Sequence, residues 1–435
     1  MKGLYWLYPG LGIKRWFLLF ALGAVATAAG VIRLLSPVWL ALGGLIAAFR
    51  EPGVAAAVVL LGAGAGLVTL SVVWGSRAVR RTVLKDSRWD LVEYHRQRQA
   101  KKGPRIVVIG GGTGLATLLR GLKEYTSNLT AIVTVSDDGG SSGRLREDMG
   151  MLPPGDIRNC LLALADTEPV MERLFQHRFE QGRELAGHNF GNLFIAAMTE
   201  LSGDFEQAIQ LFSQVLAVRG RVLPSTLSNV RLRAVFADGS SVVGETAISS
   251  AGKPIVRVEL DPPCPPPLPE ALEAMAAADA IILGPGSLYT SVIPNLLVSG
   301  MAAALQASAA LKVYICNVMT QPGETGGYRA PDHVRAVLEL AGEGSLDLVI
   351  MNDEAVPPGR LPGYIEQGAS PVLADPDGVR ALGVRPLCAP LLSRTGLVRH
   401  DPERLARAVI LAIIDVKSGL GRLAAAGWRY RVARS

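Results

Sequence analysis

The sequence predicts a doubly wound α/β fold: a mostly parallel sheet with a small antiparallel insertion, preceded by two transmembrane helices. Three observations predict it. From Gly103 to about Ser418, short apolar runs that end in glycine or polar clusters alternate with stretches of helical period. That alternation is the rhythm of strand–helix–strand units around a parallel sheet. Within residues 218–260 the rhythm changes to apolar runs at 232–236 and 241–246, joined through Asp238-Gly239, with a third at 255–260. Asp-Gly between such runs is hairpin chemistry, so this part is read as the antiparallel insertion. Ahead of residue 77 lie two long weakly polar runs, 16–32 and 54–75. A hydrocarbon core of about 30 Å takes about 20 helical residues, so each run is long enough to span.

Residues 1–76 are therefore read as a transmembrane hairpin. Lys2, Lys14 and Arg15 precede the first run, and Arg77, Arg80, Arg81, Lys85 and Arg88 follow the second. Basic flanks stay in the cytoplasm, and two crossings put both of these there. Residues 38–49, with Gly43-Gly44, are too short for a third crossing and read as an interfacial or re-entrant piece. Arg33 closes the first run without a small-residue cleavage site, against a removable signal peptide. Residues 77–102 form a basic juxtamembrane linker, 103–418 the globular domain, and 419–435 a basic tail. Much of the formal charge of +6 sits beside the membrane runs, which suits anionic lipid headgroups rather than nucleic acid. Cys160, Cys264, Cys316 and Cys388 are far apart, with neither disulfide nor zinc-ligand spacing.

In the globular domain, residues 105–109 read as a buried strand running into Gly110, Gly111, Gly112, Thr113 and Gly114, then into a helix over 115–125. A helix that starts after such a turn directs free N–H groups and a positive dipole end at its ligand, which suits a phosphate. A tight turn without ligand is the alternative. The glycine spacing fits neither the dinucleotide fingerprint nor a P-loop, which counts against an oxidoreductase. A second strand at 129–135 ends at Asp137 and Asp138, followed by Gly139, Gly140, Ser141, Ser142 and Arg144. Two carboxylates can hold Mg²⁺ beside a phosphate, and glycine amides, hydroxyls and a guanidinium can hold the phosphate itself.

After Pro153-Pro154, Asp156 stands where a helix N-cap belongs, with Asn159 in the first turn. A cap without a ligand explains Asp156 equally well. Asn189 and Asn192 open a further helix and suit a sugar or base edge; His188 beside them reads as a local hydrogen-bonding residue. The strand at 280–283 runs into Gly286, Ser287, Tyr289 and Thr290, repeating the anion-holding pattern. Strands at 312–317 and 346–352 end in Asn317, Thr320, Gln321, Glu324, Thr325 and Asn352, polar groups fit for a sugar. Tyr364 and Arg399 can stack on a base and pair with a phosphate, or pack on their own helices. The set carries phosphate cradles, hydroxyls and carboxylates, so it suits nucleotide binding or metal-assisted transfer of a phosphorylated group.

The motifs Ile-Gly-Gly-Gly-Thr-Gly-Leu at 109–115, Ser-Asp-Asp-Gly-Gly-Ser-Ser-Gly-Arg-Leu-Arg at 136–146, Pro-Pro-Gly-Asp-Ile-Arg-Asn at 153–159, Gly-His-Asn-Phe-Gly-Asn at 187–192, Gly-Pro-Gly-Ser-Leu-Tyr-Thr-Ser at 284–291 and Met-Thr-Gln-Pro-Gly-Glu-Thr at 319–325 occur in that order. Together they resemble the YvcK-like gluconeogenesis-factor family, in the superfamily of 2-phospho-L-lactate transferase. The resemblance implies a Rossmann-like domain that binds a UDP-sugar of the UDP-N-acetylglucosamine type and regulates cell shape, envelope synthesis and carbon metabolism. It implies that Gly110–Gly114 and the 136–144 loop face the ligand, with Tyr364 and Arg399 in contact with it. Many relatives lack the membrane hairpin, which moves the expected location to the cell membrane, with the domain in the cytoplasm. Regulatory protein partners are expected, with a homo-oligomer as an open possibility and no nucleic acid. The rival reading is a Mg²⁺-dependent transferase with Asp137 and Asp138 at the metal.

Overall fold

In the computed structural model, the described residues are 14–34, 52–83, 100–166, 169–394 and 396–417. The chain divides into two units, Met1–Gln99 and Ala100–Ser435. Expectations for residues 38–49, for most of the basic linker and for the tail lie outside the described residues.

The first unit holds two helices, Lys14–Leu34 and Pro52–Val83. They meet along a seam of small residues seven apart: Gly23 and Gly30 on one, Ala57, Gly64 and Ser71 on the other, all buried. A Cβ on Gly64 would lie 2.4 Å from Thr27 Oγ1, so the backbones approach closely. The large apolar side chains point away from the seam; Leu18, Val25 and Val59 are about two-thirds exposed. The segment Ala56–Trp74 is long and apolar enough to cross a membrane, with mean hydropathy 2.3. The apolar part of the first helix is shorter, Leu18–Val31, so the two predicted spans are not equivalent. The run 16–32 counts Trp16, Phe17 and Ile32, which lie at or beyond the ends of that segment.

The second unit is built on a seven-stranded sheet in which every pairing is parallel. Its strands are β1 (Ile106–Gly110), β2 (Leu129–Val133), β3 (Arg221–Pro224), β7 (Ala280–Leu283), β8 (Leu311–Ile315), β9 (Leu348–Asn352) and β10 (Arg385–Ala389). The order is β10-β9-β8-β7-β1-β2-β3. β1, β2 and β7 are buried along their whole length, as a sheet covered by helices on both faces requires. The remaining strands, β4 (Arg231–Phe236), β5 (Ser241–Val243) and β6 (Ile255–Asp261), form a separate antiparallel sheet in the order β5-β4-β6.

The insertion is narrower than residues 218–260, because Arg221–Pro224 joins the main sheet beside β2 rather than the hairpin. Its apolar residues Val222 and Leu223 are buried, and pairing with β2 also satisfies their backbone. The predicted strand 241–246 stops at Val243, since Gly244 takes φ +107° and a helix begins at Glu245. The helix predicted from residue 115 starts at Gly112, so the glycines are its first turn rather than a loop before it.

In this strand order, β1 has β2 on one side and β7 on the other. The chain goes from β1 to one half of the sheet and returns to build the other. That reversal is the switch point at which open α/β sheets hold ligands, outside the carboxyl ends of the strands. The loops that follow β1, β2, β7 and β8 all open there.

Candidate functional site

Gly111 caps the helix Gly112–Leu122 in an extended conformation, and Gly112 takes φ +67°, where a residue with a Cβ is strained. The close approach that these glycines permit is to the protein itself. A Cβ on Gly111 would lie 2.7 Å from Asp156 Oδ2, and one on Gly114 would lie 2.2 Å from the Pro285 carbonyl oxygen. The β1 and β7 glycine loops thus pack on each other. Asn295 Nδ2 donates to the Gly110 carbonyl (3.2 Å), and the Asn317 amide clamps Gly286 by donating to its carbonyl (2.6 Å) and accepting its N–H (3.2 Å). Thr113 is exposed at the mouth.

Asp156 is not the cap of its own helix. Pro154 holds that position, and the Asp156 carboxylate crosses to β1, where Oδ2 accepts the Gly112 N–H at 2.7 Å. The reason is positional. In the first turn of Gly155–Leu164 the side chain leaves its helix beside the unsatisfied amide that opens the neighbouring one. Burial, reinforced by the charge of Asp137, pushes Asp156 up to about 6.

The β2 loop departs from expectation in a similar way. A helix starts at Gly140 and runs to Met149, so Ser141 and Ser142 fall in its first turn and are buried. Ser142 Oγ accepts the Gly155 N–H (3.1 Å); Ser141 Oγ accepts the Asn189 N–H (3.2 Å) and lies 3.2 Å from His188 Nδ1. These hydroxyls join loops to one another. Arg144 donates to the Ala186 carbonyl (3.0 Å). Asn189 caps the helix Phe190–Ser202 by accepting the Asn192 N–H, and Asn192 and Asn159 each accept from the Arg158 guanidinium (2.7 and 2.8 Å). Asn189 and Asn192 are buried and spent on the scaffold rather than open to a base edge.

Asp137 Oδ1 accepts the Gly139 N–H, and Asp138 Oδ1 accepts both the N–H and the hydroxyl of Thr246, each at 2.9 Å. Asp138 thereby anchors the helix Glu245–Ala251 of the insertion over the sheet edge. Ser249 on that helix donates to Glu324 of the β8 loop (3.5 Å), and Glu324 in turn accepts the Ser287 hydroxyl. One chain of contacts therefore links the loops after β2, β8 and β7. Thr290 is buried; Tyr289 is buried too, with its hydroxyl 2.9 Å from that of Tyr328. Tyr364 and Arg399 come from the segments after β9 and β10, and Tyr364 packs against Val318, Leu392 and Val398. The Tyr364 hydroxyl accepts the Val398 N–H (2.9 Å), and Arg399 is exposed.

Glu245 carries no sequence signal of its own, yet the fold brings it to this group. Burial and then the charges of Asp137, Asp156, Glu324 and Asp138 push it up to about 9. Burial also raises Asp137 and Glu324. Arg158 answers these acids, and burial with the nearby Arg178 lowers it to about 10. Among the described residues, no three His, Cys, Asp or Glu side chains converge closely enough to hold a metal ion. A cavity of about 280 Å³ lies at the opposite, amino-terminal ends of β1–β3, lined by Arg105, Ser127 and Arg221, and takes no part in this site.

Fold and loops together define a doubly wound α/β protein with a polar, acid-lined site at the switch point of its sheet. Over residues 106–392 the sequence matches the family model of 2-phospho-L-lactate transferase CofD. The chain belongs to the CofD-like gluconeogenesis-factor family. The gluconeogenesis factor of Bacillus subtilis is 48% identical over 308 residues, covering 71% of this chain and 97% of that protein. A relative from Nostoc sp. is 48% identical over 423 residues, 93% of this chain and 91% of its own length, so it aligns with much of the first unit as well. A crystal structure of a Bacillus halodurans protein, 48% identical, superposes with a TM-score of 0.69 over 71% of this chain and 99% of that one.

Proposed function

We propose that the protein is a membrane-anchored, cytoplasm-facing regulator. It binds a UDP-sugar of the UDP-N-acetylglucosamine type and acts through protein partners on cell shape, envelope synthesis and carbon metabolism. The observation that carries the ligand reading is the convergence of the β1, β2, β7 and β8 loops at the switch point, where the helix Gly112–Leu122 starts. Gluconeogenesis factor, the description of the Bacillus subtilis relative, supports the metabolic part. The anchor is supported by the inverted pattern of the first unit. Small residues fill its helix seam and large apolar ones face outward, as helices packed within lipid require.

A second reading is a transferase that uses a nucleoside-diphosphate donor, favoured by the family match and by the acids at the β2 loop. Asp137 and Asp138 offer the hard oxygens that Mg²⁺ takes, although each already accepts backbone or hydroxyl hydrogen bonds.

Thermal melting of the detergent-solubilised full chain with UDP-N-acetylglucosamine, GDP and NAD, each with and without Mg²⁺, tests the ligand. Stabilisation by the UDP-sugar is expected, and a response to GDP or NAD alone would sink the proposal. Turnover of any of these ligands would move the reading to the transferase. Release from membranes by carbonate wash, without detergent, would sink the anchor.

A further inference from the structure

The glycine turn that suits a phosphate already holds an anion. Asp156 Oδ2 sits 2.7 Å from the Gly112 N–H, on the first free amide of the helix Gly112–Leu122. The contact requires glycine at 111, since a Cβ there would lie 2.7 Å from the same oxygen. The second glycine loop is answered likewise: Glu324, only 3% exposed, accepts the Ser287 hydroxyl at the end of the β7 turn. Asp137 and Glu245 stand in the same electrostatic neighbourhood. Of the cations near these acids, Arg158 gives its two terminal nitrogens to Asn192 and Asn159, and Arg146 donates to the Val230 carbonyl. A ligand phosphate that enters therefore meets fixed carboxylates as well as donors.

We propose that Asp156 is a specificity-determining residue: a built-in anion that admits a sugar-capped diphosphate and disfavours uncapped nucleotides. This rests on the nucleotide-sugar reading of the site. The chemistry is a matter of charge. A terminal phosphate monoester, as in UDP or UTP, loses a second proton near pH 6 and carries about −1.5 to −2 at neutral pH. Esterification by a sugar removes that second ionisation, so a UDP-sugar brings one fewer negative charge than UDP and two fewer than UTP. Repulsion from a fixed carboxylate rises with each added charge. Asp156 thus trades absolute affinity for discrimination against more highly charged nucleotides.

Asp156→Asn tests this, because the amide oxygen can still accept the Gly112 N–H while the charge is gone. Calorimetric titration of the full chain in detergent at pH 7.5, with UDP-N-acetylglucosamine, UDP and UTP, should show wild-type affinity falling in that order. In D156N, UDP and UTP should gain roughly tenfold, the UDP-sugar clearly less, and the preference should shrink accordingly. Glu324→Gln should act in the same direction, more weakly, which guards against a folding defect peculiar to one variant. Inorganic pyrophosphate and orthophosphate serve as sugar-free probes, with pyrophosphate gaining more from D156N. If pyrophosphate gains while no uridine ligand binds either protein, the UDP-sugar reading falls and the charge filter stands. An unchanged UDP to UDP-sugar ratio in D156N, weaker binding of all three nucleotides, or no gain for pyrophosphate would each overturn the proposal.

Discussion

Replacing Glu245 by glutamine should stabilise the fold, by an amount that grows with pH. Burial beside Asp137, Asp156 and Glu324 pushes the Glu245 carboxyl up to about 9 from an ordinary 4.5. The sign follows from linkage. A carboxyl raised in the folded state gives its full contribution below 4.5, and that contribution is lost as pH climbs from 4.5 to 9. Each pH unit in that window costs about 1.4 kcal/mol, so at pH 7.5 the penalty reaches roughly 4 kcal/mol. Neighbouring acids that are themselves partly protonated weaken the repulsion, and roughly 2–4 kcal/mol is the working range. For a unit of roughly 330 residues, an unfolding entropy of about 0.7 kcal/mol/K converts this to a rise in Tm of about 3–6 °C. The assay is differential scanning fluorimetry of wild type and E245Q from pH 4.5 to 8.5. The difference should start near zero and widen steadily. A constant offset, or a less stable variant at pH 8, would refute the picture of an acid buried against its own charge.

Two buried histidines set the opposite limb. Burial lowers His333 and His400 to about 4, so their contribution is complete above pH 6.5 and is lost as pH falls from 6.5 towards 4. His333→Phe should flatten part of that acid slope in a Tm titration; an unaltered slope would show that other groups carry it. Gly114→Ala should lower stability by about 3 kcal/mol or more, because its Cβ would lie 2.2 Å from the Pro285 carbonyl oxygen. Gly112→Val should cost less, about 1–3 kcal/mol for a left-handed residue whose Cβ would make only an ordinary contact with Ser291 Oγ at 3.6 Å, and should abolish stabilisation by UDP-N-acetylglucosamine. Equal Tm losses in the two variants, or ligand stabilisation retained in G112V, would contradict the geometry of the turn.

The parts of this fold that were legible are those that depend on neighbours in sequence. Apolar strands that stop at Gly110, Ser136 and Gly284 locate β1, β2 and β7, and Asp238-Gly239 locates the hairpin. β3 falls inside the range read as the insertion, because its four residues carry no record of their pairing partner. Strand β10 and the helix Pro402–Lys417 carry no glycine or polar motif that would announce them. At the site the same division holds. Glycines and hydroxyls clustered after each strand mark the carboxyl edge of the sheet, since a turn, a helix start and a ligand all draw on the same residue types. Which of those tasks each residue performs is decided by other loops, 44 positions away for Asp156 and 108 for Asp138. Asp138 accepts the N–H and hydroxyl of Thr246 at a helix start, and Gly114 must lack a Cβ to clear Pro285. Glu245 shows the limit most clearly: nothing in Gly-Glu-Thr announces a half-buried acid among other acids. Its character appears only when the insertion folds back over the switch point and sets it among Asp137, Asp156 and Glu324. That enclosure gives the site its charge as well as its donors. On the nucleotide-sugar proposal, a glycine cradle of the same sequence left open to solvent would take any phosphate, whereas one ringed by its own carboxylates would discriminate by charge.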